Sequence, residues 1–396
     1  MSAKKRPIYL DYQASTPMDP RVLDAMLPYF QEAFGNASSA AHAYGHEAAD
    51  AVKQAAQEVA ALVQSGLPSG GSHPLIWTSG ATESINLALQ GYVRQHQPEG
   101  RRFRLATLPL EHKAVLDTAK LLEREGLLEL VLLDVNAQGQ LDLAHLEREL
   151  KQGLDLLAMM AANNEIGTIY PVQTIAKLAQ DHGCAFFCDG SQAVGKIPIE
   201  FENWGITLLA LTGHKMYGPK GCGALVVRRG TRLKAQIYGG GHQHGLRSGT
   251  LNVPGIVGLG KACALRQAEM QRDESHTAQL RDRLEALLQA EILDLVVNGD
   301  LAHRLAGNLH CSILSVPNDL MVKYLGQQLA ISTGSACTSG LEASSHVLCA
   351  IGLSADVLRG ALRLSLGKFT TETEIETAAE VLIGAYWQAQ AHLQTD

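Results

Sequence analysis

The sequence carries little charge and no excess of positive charge. Only 18% of its 396 residues are Asp, Glu, Lys or Arg, and the formal net charge is -7. Such a balance confers no general attraction to nucleic-acid phosphates, and no strongly basic domain is present, so direct nucleic-acid binding is not expected. No apolar run approaches the roughly 20 residues that span a bilayer, so no membrane contact is expected. The opening MSAKKRPIYLDYQ is basic but lacks the apolar stretch and small-residue cleavage site of a secretory leader. The seven cysteines are odd in number, scattered and without a CxxC pair, which indicates neither a disulfide framework nor a zinc knuckle. A reducing cytoplasm is the expected location. Internal repeats, low-complexity tracts and flexible linkers are also missing, and SGLPSGGSH at 65–73 reads as an ordinary surface loop.

What the chain does have is apolar residues, 46% of the total, enough for a large core and two lobes. From about residue 75 short apolar runs alternate with amphipathic stretches: PLIWT then ESINLALQGYVRQ, FRLATL then KAVLDTAKLLEREG, LELVLLDV then DLAHLEREL. LDLLAMMA, AFFCD, ITLLALT and ALVVR continue the series. This alternation predicts an α/β domain around a largely parallel sheet, with function gathered in loops at the carboxyl ends of the strands. After SGTLNVPGIVGLG a long charged helical run, Lys261 to Leu288, reads as a connector into a second lobe holding NLHCSIL and LRLSLG. Residues 1–18 are expected to return to that lobe. The expected division is a large domain over 19–262 and a small domain made of 1–18 and 263–396.

Several strand ends carry chemistry. In LTGHKMYGPKGCG, Lys215 follows a strand beside Thr212 and His214, a setting that suits a Schiff base with an aldehyde cofactor. A lone lysine is otherwise a solvated surface residue. AFFCDGSQAVGK ends a strand in Asp189, with Gln192 three positions on. A carboxylate there can keep the ring nitrogen of pyridoxal phosphate protonated, and an amide can donate to the ring oxygen; alone, the aspartate reads as a helix cap. TSGATES places Gly80, Ala81 and Thr82 at a helix start, a phosphate site or a plain capping sequence. TLPLEHKAVLD supplies His112 and MMAANNEIGT supplies Asn163 and Asn164, each after a further strand. The imidazole could stack on a flat ring, and an amide could bind a carboxylate. STGSACTSG sets Cys337 among small and hydroxylic residues instead of the apolar run of a packed cysteine.

Together with YLDYQASTP, FGNASSAAHAYG, GHKMYGPKG and GGGHQHGLRSGT, these blocks resemble the signatures of pyridoxal-phosphate cysteine desulfurases from about Tyr9 to Thr371. The cysteine loop is similar to that of the group containing the housekeeping iron–sulfur-cluster and nitrogen-fixation enzymes. The resemblance implies an aminotransferase-like fold of type I, with a mostly parallel seven-stranded sheet in the large domain and a smaller α/β domain carrying the cysteine loop, about 332–345. It implies that Lys215 holds the cofactor, Asp189 meets the ring nitrogen, Gln192 the ring oxygen, and His112 stacks on the ring. Phosphate contacts fall to Ala81, Thr82, Thr212 and His214, with Thr250 reaching in from the other subunit of a homodimer. Asn164 and Arg363 would hold the carboxylate of L-cysteine. Cys337 would take the substrate sulfur as a persulfide and carry it to an acceptor protein, with His112 as the nearest base for its thiol.

The chain departs from the family pattern at a few places. Thr212 stands where serine is usual, DGSQ replaces DATQ or DAVQ, and His244 replaces an arginine. GHQHG lacks a third ligand, so no metal is expected. The tail that cluster-assembly members share beyond the last helix is missing after YWQAQAHLQTD, so an acceptor other than the usual scaffold is expected, as in tRNA thiolation, DNA phosphorothioation or a specialised cluster system. Arg228, Arg229, Arg232 and Lys234 form either a docking patch for an acidic acceptor or a solvated turn. Selenocysteine lyase or aminotransferase chemistry on the same fold, and an idle dimeric scaffold, remain alternatives.

Overall fold

The computed structural model describes residues 6–66, 75–333 and 345–395. Their strands, in chain order, are β1 (Ile8–Tyr9), β2 (Leu75–Thr78), β3 (Phe103–Thr107), β4 (Leu128–Leu132), β5 (Leu156–Met160) and β6 (Ala185–Asp189). They continue with β7 (Leu208–Thr212), β8 (Gly223–Val227), β9 (Leu295–Val297), β10 (Asn308–Ile313), β11 (Leu329–Ala330) and β12 (Ala361–Ser365). Seven of them form one sheet in the order β2-β8-β7-β6-β5-β3-β4. Only β8 runs against its neighbours, β2 and β7; the pairings β7–β6, β6–β5, β5–β3 and β3–β4 are all parallel.

A parallel sheet covered by helices on both faces must bury both sets of alternating side chains, which is why its strands read as continuous apolar runs. In β5, Leu157 and Met159 join one core while Leu156 and Ala158 join the other. Leu209 and Leu211 of β7 divide from Leu208 and Ala210 in the same way. Because the six other strands share one direction, Thr78, Thr107, Met160, Asp189 and Thr212 all emerge at the same sheet edge.

A second core, including Leu280, Leu309, Leu364 and Ile375, lies under a three-stranded antiparallel sheet of order β12-β10-β9. The N-terminal segment does return to this part of the chain, since Ile8 of β1 pairs in parallel with Leu329 of β11. The helix Val253–Glu291 connects the two cores: Ile256, Leu259 and Cys263 pack in the first, and Leu280, Leu284 and Leu288 in the second. At 39 residues it is about 58 Å long.

This helix begins eight residues before the charged run at Lys261 that marks it in the sequence. Asn252 caps it, its side chain accepting the Gly255 N–H at 3.2 Å, so the glycine-rich stretch is helix and not a loop. Gly260 has a packing reason to lack a side chain: a Cβ there would lie 2.6 Å from Cα of Ala55 in the neighbouring helix Ala43–Val63.

Candidate active site

The carboxyl ends of β2, β5, β6 and β7 surround a cavity of about 630 Å³. Gln13, Ala14 and Ser15 from the N-terminal segment and Arg363 from β12 complete its wall. Among the residues predicted from sequence, Ala81, Thr82, His112, Asn164, Asp189, Gln192, Thr212, His214, Lys215 and Arg363 all line this one space.

The turn after β2 is built to offer backbone N–H groups. Gly80 takes a φ of +152° and leads into the helix Ala81–Gln95, whose first N–H groups have no intrahelical acceptor. A Cβ on Gly223 would lie 2.7 Å from Cα of Gly80, so a glycine in β8 lets the turn press against the sheet. Thr78 Oγ1 meets Ser84 Oγ at 2.8 Å, and Glu83 accepts the Ser79 N–H at 2.7 Å while pairing with Arg247 at 2.7 Å. These bonds hold the turn in shape, with its free N–H groups in the arrangement that an anion would need.

Lys215 enters the cavity from a single 3₁₀ turn, Gly213–Lys215, directly after β7. Its ammonium donates to the carbonyl oxygens of Gln13 and, at 3.0 Å, of Ala14. Burial, aided by the like charges of Lys196 and Arg363, brings its pKa down to about 7. A free amine is therefore available near neutrality.

Asp189, at the end of β6, is 4% exposed and accepts the Ser191 N–H at 2.9 Å as well as the Ser191 hydroxyl. The serine of DGSQ thus anchors the carboxylate. Gln192 donates through Nε2 to Gln13 O at 2.9 Å and accepts from the Lys196 ammonium at 2.9 Å.

His112 caps the helix Lys113–Arg124, its Nδ1 accepting the Ala114 N–H at 3.1 Å. Desolvation lowers its pKa against the opposing pull of Asp189. A neutral ring with Nδ1 accepting carries its proton on Nε2, so in this arrangement His112 is a donor; service as a base for a thiol requires release of Ala114. His214 Nδ1 lies 3.3 Å from Ser15 Oγ, and burial brings its pKa to about 4. It too is neutral near pH 7.

The two asparagines of NNEIG part company. Asn163 is fully buried and its Oδ1 accepts the N–H groups of Glu165 and Ile166, so it is structural. Asn164 lines the cavity, and its carbonyl accepts from Arg363 at 3.0 Å. Arg363 also pairs with Asp11 at 2.8 Å, while its buried Nε has no partner. That unpaired donor suits an incoming carboxylate.

Thr250 is exposed and is not among the residues lining this chain's cavity. Cys337 lies outside the described residues. Of the basic cluster, Arg228 turns inward, donating to Ile206 O at 2.8 Å and Phe201 O at 3.0 Å. In GHQHG, Gln243 is used structurally: its amide bonds both N–H and C=O of Trp77, capping the free edge of β2. His242 accepts the Gly249 N–H at 3.2 Å. Sequence reasoning overlooked Asp11, Gln13, Ser15, Ser191 and Lys196, although each lies in a motif already noticed. Their roles depend on contacts across as many as 352 residues, which no local pattern encodes.

A lysine amine, a carboxylate, an anion-binding turn and an unpaired guanidinium Nε suit the aldehyde, ring nitrogen and phosphate of pyridoxal phosphate and the carboxylate of an amino acid. The Aminotransferase class-V family model matches residues 8–377. The cysteine desulfurase IscS of Anaeromyxobacter sp. (strain Fw109-5) is 46% identical over 381 residues, 96% of this chain and 92% of its own. Among solved structures, a NifS-like protein superposes with a TM-score of 0.86 at 33% identity, over 96% of this chain and 99% of its own. A structure described as SspA in complex with cysteine has a TM-score of 0.79 at 32% identity, over 93% of this chain and 100% of its own. The fold, the cavity and these likenesses agree: the chain belongs to the pyridoxal-phosphate-dependent cysteine desulfurases of the class-V aminotransferase family.

Proposed function

We propose that the cavity converts L-cysteine to L-alanine and that Cys337 receives the sulfur as a persulfide. The observation that carries this reading is Lys215, whose amine stands with Asp189, Gln192 and His112 in one cavity and is about half uncharged near neutrality. Bound pyridoxal phosphate supplies an aldehyde for amines and an aromatic ring that takes up electrons from a substrate carbanion.

The chain's own residues supply the rest. The N–H groups at Ala81 and Thr82, with Thr212 and His214, hold the phosphate. Asp189 keeps the ring nitrogen protonated and Gln192 donates to the ring oxygen. Arg363 and Asn164 orient the substrate carboxylate. The Lys215 amine would take the Cα proton of the bound substrate. The Cys337 thiolate would then form an S–S bond as the substrate C–S bond breaks, and Lys215 would return a proton to Cβ, so that cysteine plus thiol gives alanine plus persulfide. His112 lines the same cavity and donates from Nε2.

We further propose a homodimer in which Thr250 completes the neighbouring phosphate site. Apolar side chains left exposed support contact with a second copy: Leu27 is 52% exposed, Phe30 58%, Phe34 65% and Tyr238 81%. A protein acceptor removes the persulfide sulfur. No helix among the described residues is long and apolar enough to cross a membrane, and a reactive thiol fits a reducing cytoplasm.

The test is to mix the purified protein with cysteine and a thiol and to quantify alanine and sulfide together. Equal yields, both lost in Lys215→Ala, are expected. Pyruvate, or transamination without sulfide, would assign the site to another pyridoxal reaction.

A further inference from the structure

Lys196 lies four residues beyond Gln192 in the turns that follow β6, with its ammonium turned toward protein. Its Nζ donates to Gln192 Oε1 at 2.9 Å, and Gln192 Nε2 donates to Gln13 O at 2.9 Å. The same carbonyl oxygen accepts from Lys215 Nζ. One amide and one backbone oxygen therefore join the two lysines.

We infer that Lys196 is a positioning residue of the cofactor site, which fixes the orientation of the Gln192 amide and disfavours a second positive charge on Lys215. The inference rests on the reading of Lys215 as the cofactor lysine. An amide has nearly the same shape either way round; an ammonium, which has donors and no acceptor, admits only the oxygen end beside it. The amide NH₂ is thereby kept on the side of Gln13 and the cavity, where a donor to the ring oxygen is needed. Replacing Gln192 by a residue without that polarity would not be needed to spoil the site; removing Lys196 would suffice.

The charge has the second effect. Lys196 is the largest charged influence holding the Lys215 pKa down, after burial itself, and Arg363 acts in the same sense while Asp11 and Asp189 oppose it. His112 and His214 also face Lys215 and are themselves kept neutral. Around Lys196, Glu274 and Arg266 approach from the helix Val253–Glu291 and Arg363 from β12; burial outweighs the help of Glu274 and leaves its pKa at about 8. Two ammonium groups cannot share this region without cost, so the charge on Lys196 opposes a charge on Lys215.

The experiment compares the full chain with its Lys196→Met and Lys196→Arg variants. Acetylation of Lys215 across pH, mapped by mass spectrometry on protein freed of cofactor, reports its amine directly. In Lys196→Met the midpoint is expected to rise by about one pH unit, the effect of one nearby charge, and the visible-absorbance titration of the cofactor-loaded protein should move the same way. Lys196→Arg should restore both midpoints. Should the methionine variant fail to fold, Lys196→Gln, which keeps a donor for Gln192 Oε1 without the charge, should show the same rise at Lys215. Unmoved midpoints in a folded variant would overturn the role of Lys196 alone. If borohydride reduction of the wild-type protein fails to leave the cofactor on Lys215, the reading of the site and this inference fall together.

Discussion

The backbone of Ser332 is paired with that of Arg363: the Arg363 N–H donates to Ser332 O at 2.7 Å and the Ser332 N–H to Arg363 O at 3.2 Å. The proposed cysteine-bearing segment thus departs from the residue proposed to hold the substrate carboxylate. Cys337 is five positions on from Ser332, and five positions of extended chain reach at most about 18 Å. Cys337→Ala is expected to keep the visible absorbance of the bound cofactor and to lose persulfide and sulfide formation. Persulfide trapping with an alkylating reagent, followed by peptide mapping, checks this; undiminished sulfide in the variant would remove Cys337 from the reaction.

Arg363→Gln should weaken substrate binding without displacing the cofactor. Charged hydrogen bonds to a carboxylate contribute about 1.5–3 kcal/mol, which corresponds to roughly a 10- to 150-fold rise in KM for cysteine. Steady-state kinetics beside an unchanged absorption spectrum are the expected pattern. A fall in kcat at constant KM would mean that Arg363 serves something other than the carboxylate.

Lys215 has a folded-state pKa near 7 against an ordinary value of 10.5. The unfolded chain therefore binds more protons between those values, and stability rises with pH across that window. In protein freed of cofactor, Lys215→Met is expected to raise the melting temperature by a few degrees at pH 6, with the gain fading as the pH approaches 10. Calorimetry at both pH values decides it, and an equal effect at both would show that charge is not the cause.

His310, buried in β10, has its pKa lowered to about 3 by desolvation, with Arg363 adding to the effect. Its neutral form is required in the folded state, so stability present above the usual histidine range near 6.5 is lost as the pH falls toward 3. His310→Leu should flatten this acid limb of a urea-denaturation series, since Asn298 retains Ser312 as a partner at 2.8 Å.

Gly260→Ala tests the contact between the helices Val253–Glu291 and Ala43–Val63. Alanine favours an isolated helix by about 1 kcal/mol over glycine, yet a Cβ here meets backbone at 2.6 Å. Overpacking of about 1–3 kcal/mol should prevail, seen as a lower denaturant midpoint. A more stable variant would mean that the two helices separate at little cost.

Much of the site was legible because its parts sit at strand ends. Asp189 closes AFFCD, Thr212 closes ITLLALT, and Gly80 stands between an apolar run and an amphipathic one, so strand and helix periods alone locate them. The start of the long helix was not legible: Gly255, Gly258 and Gly260 lower local helix propensity, and only close approach of the Asn252 cap, Met26 and Ala55, respectively, explains them. Nor could periodicity separate Asn163 from Asn164, because which amide faces the cavity depends on the turn that follows β5.

Local pattern thus determined the α/β sheet, the carboxyl-end location of the chemistry and the residue types available there. The tertiary structure decided what those residues do to one another. Bringing Gln13 to Lys215 and Asp11 to Arg363 requires β1 to cross to β11 and β12 to lie beside β10, while Lys196 comes near Lys215 because β6 and β7 are neighbours. The lowered pKa values of His112, His214 and Lys215 follow from burial and from charges so assembled; sequence periods of 2 and 3.6 residues carry no record of either.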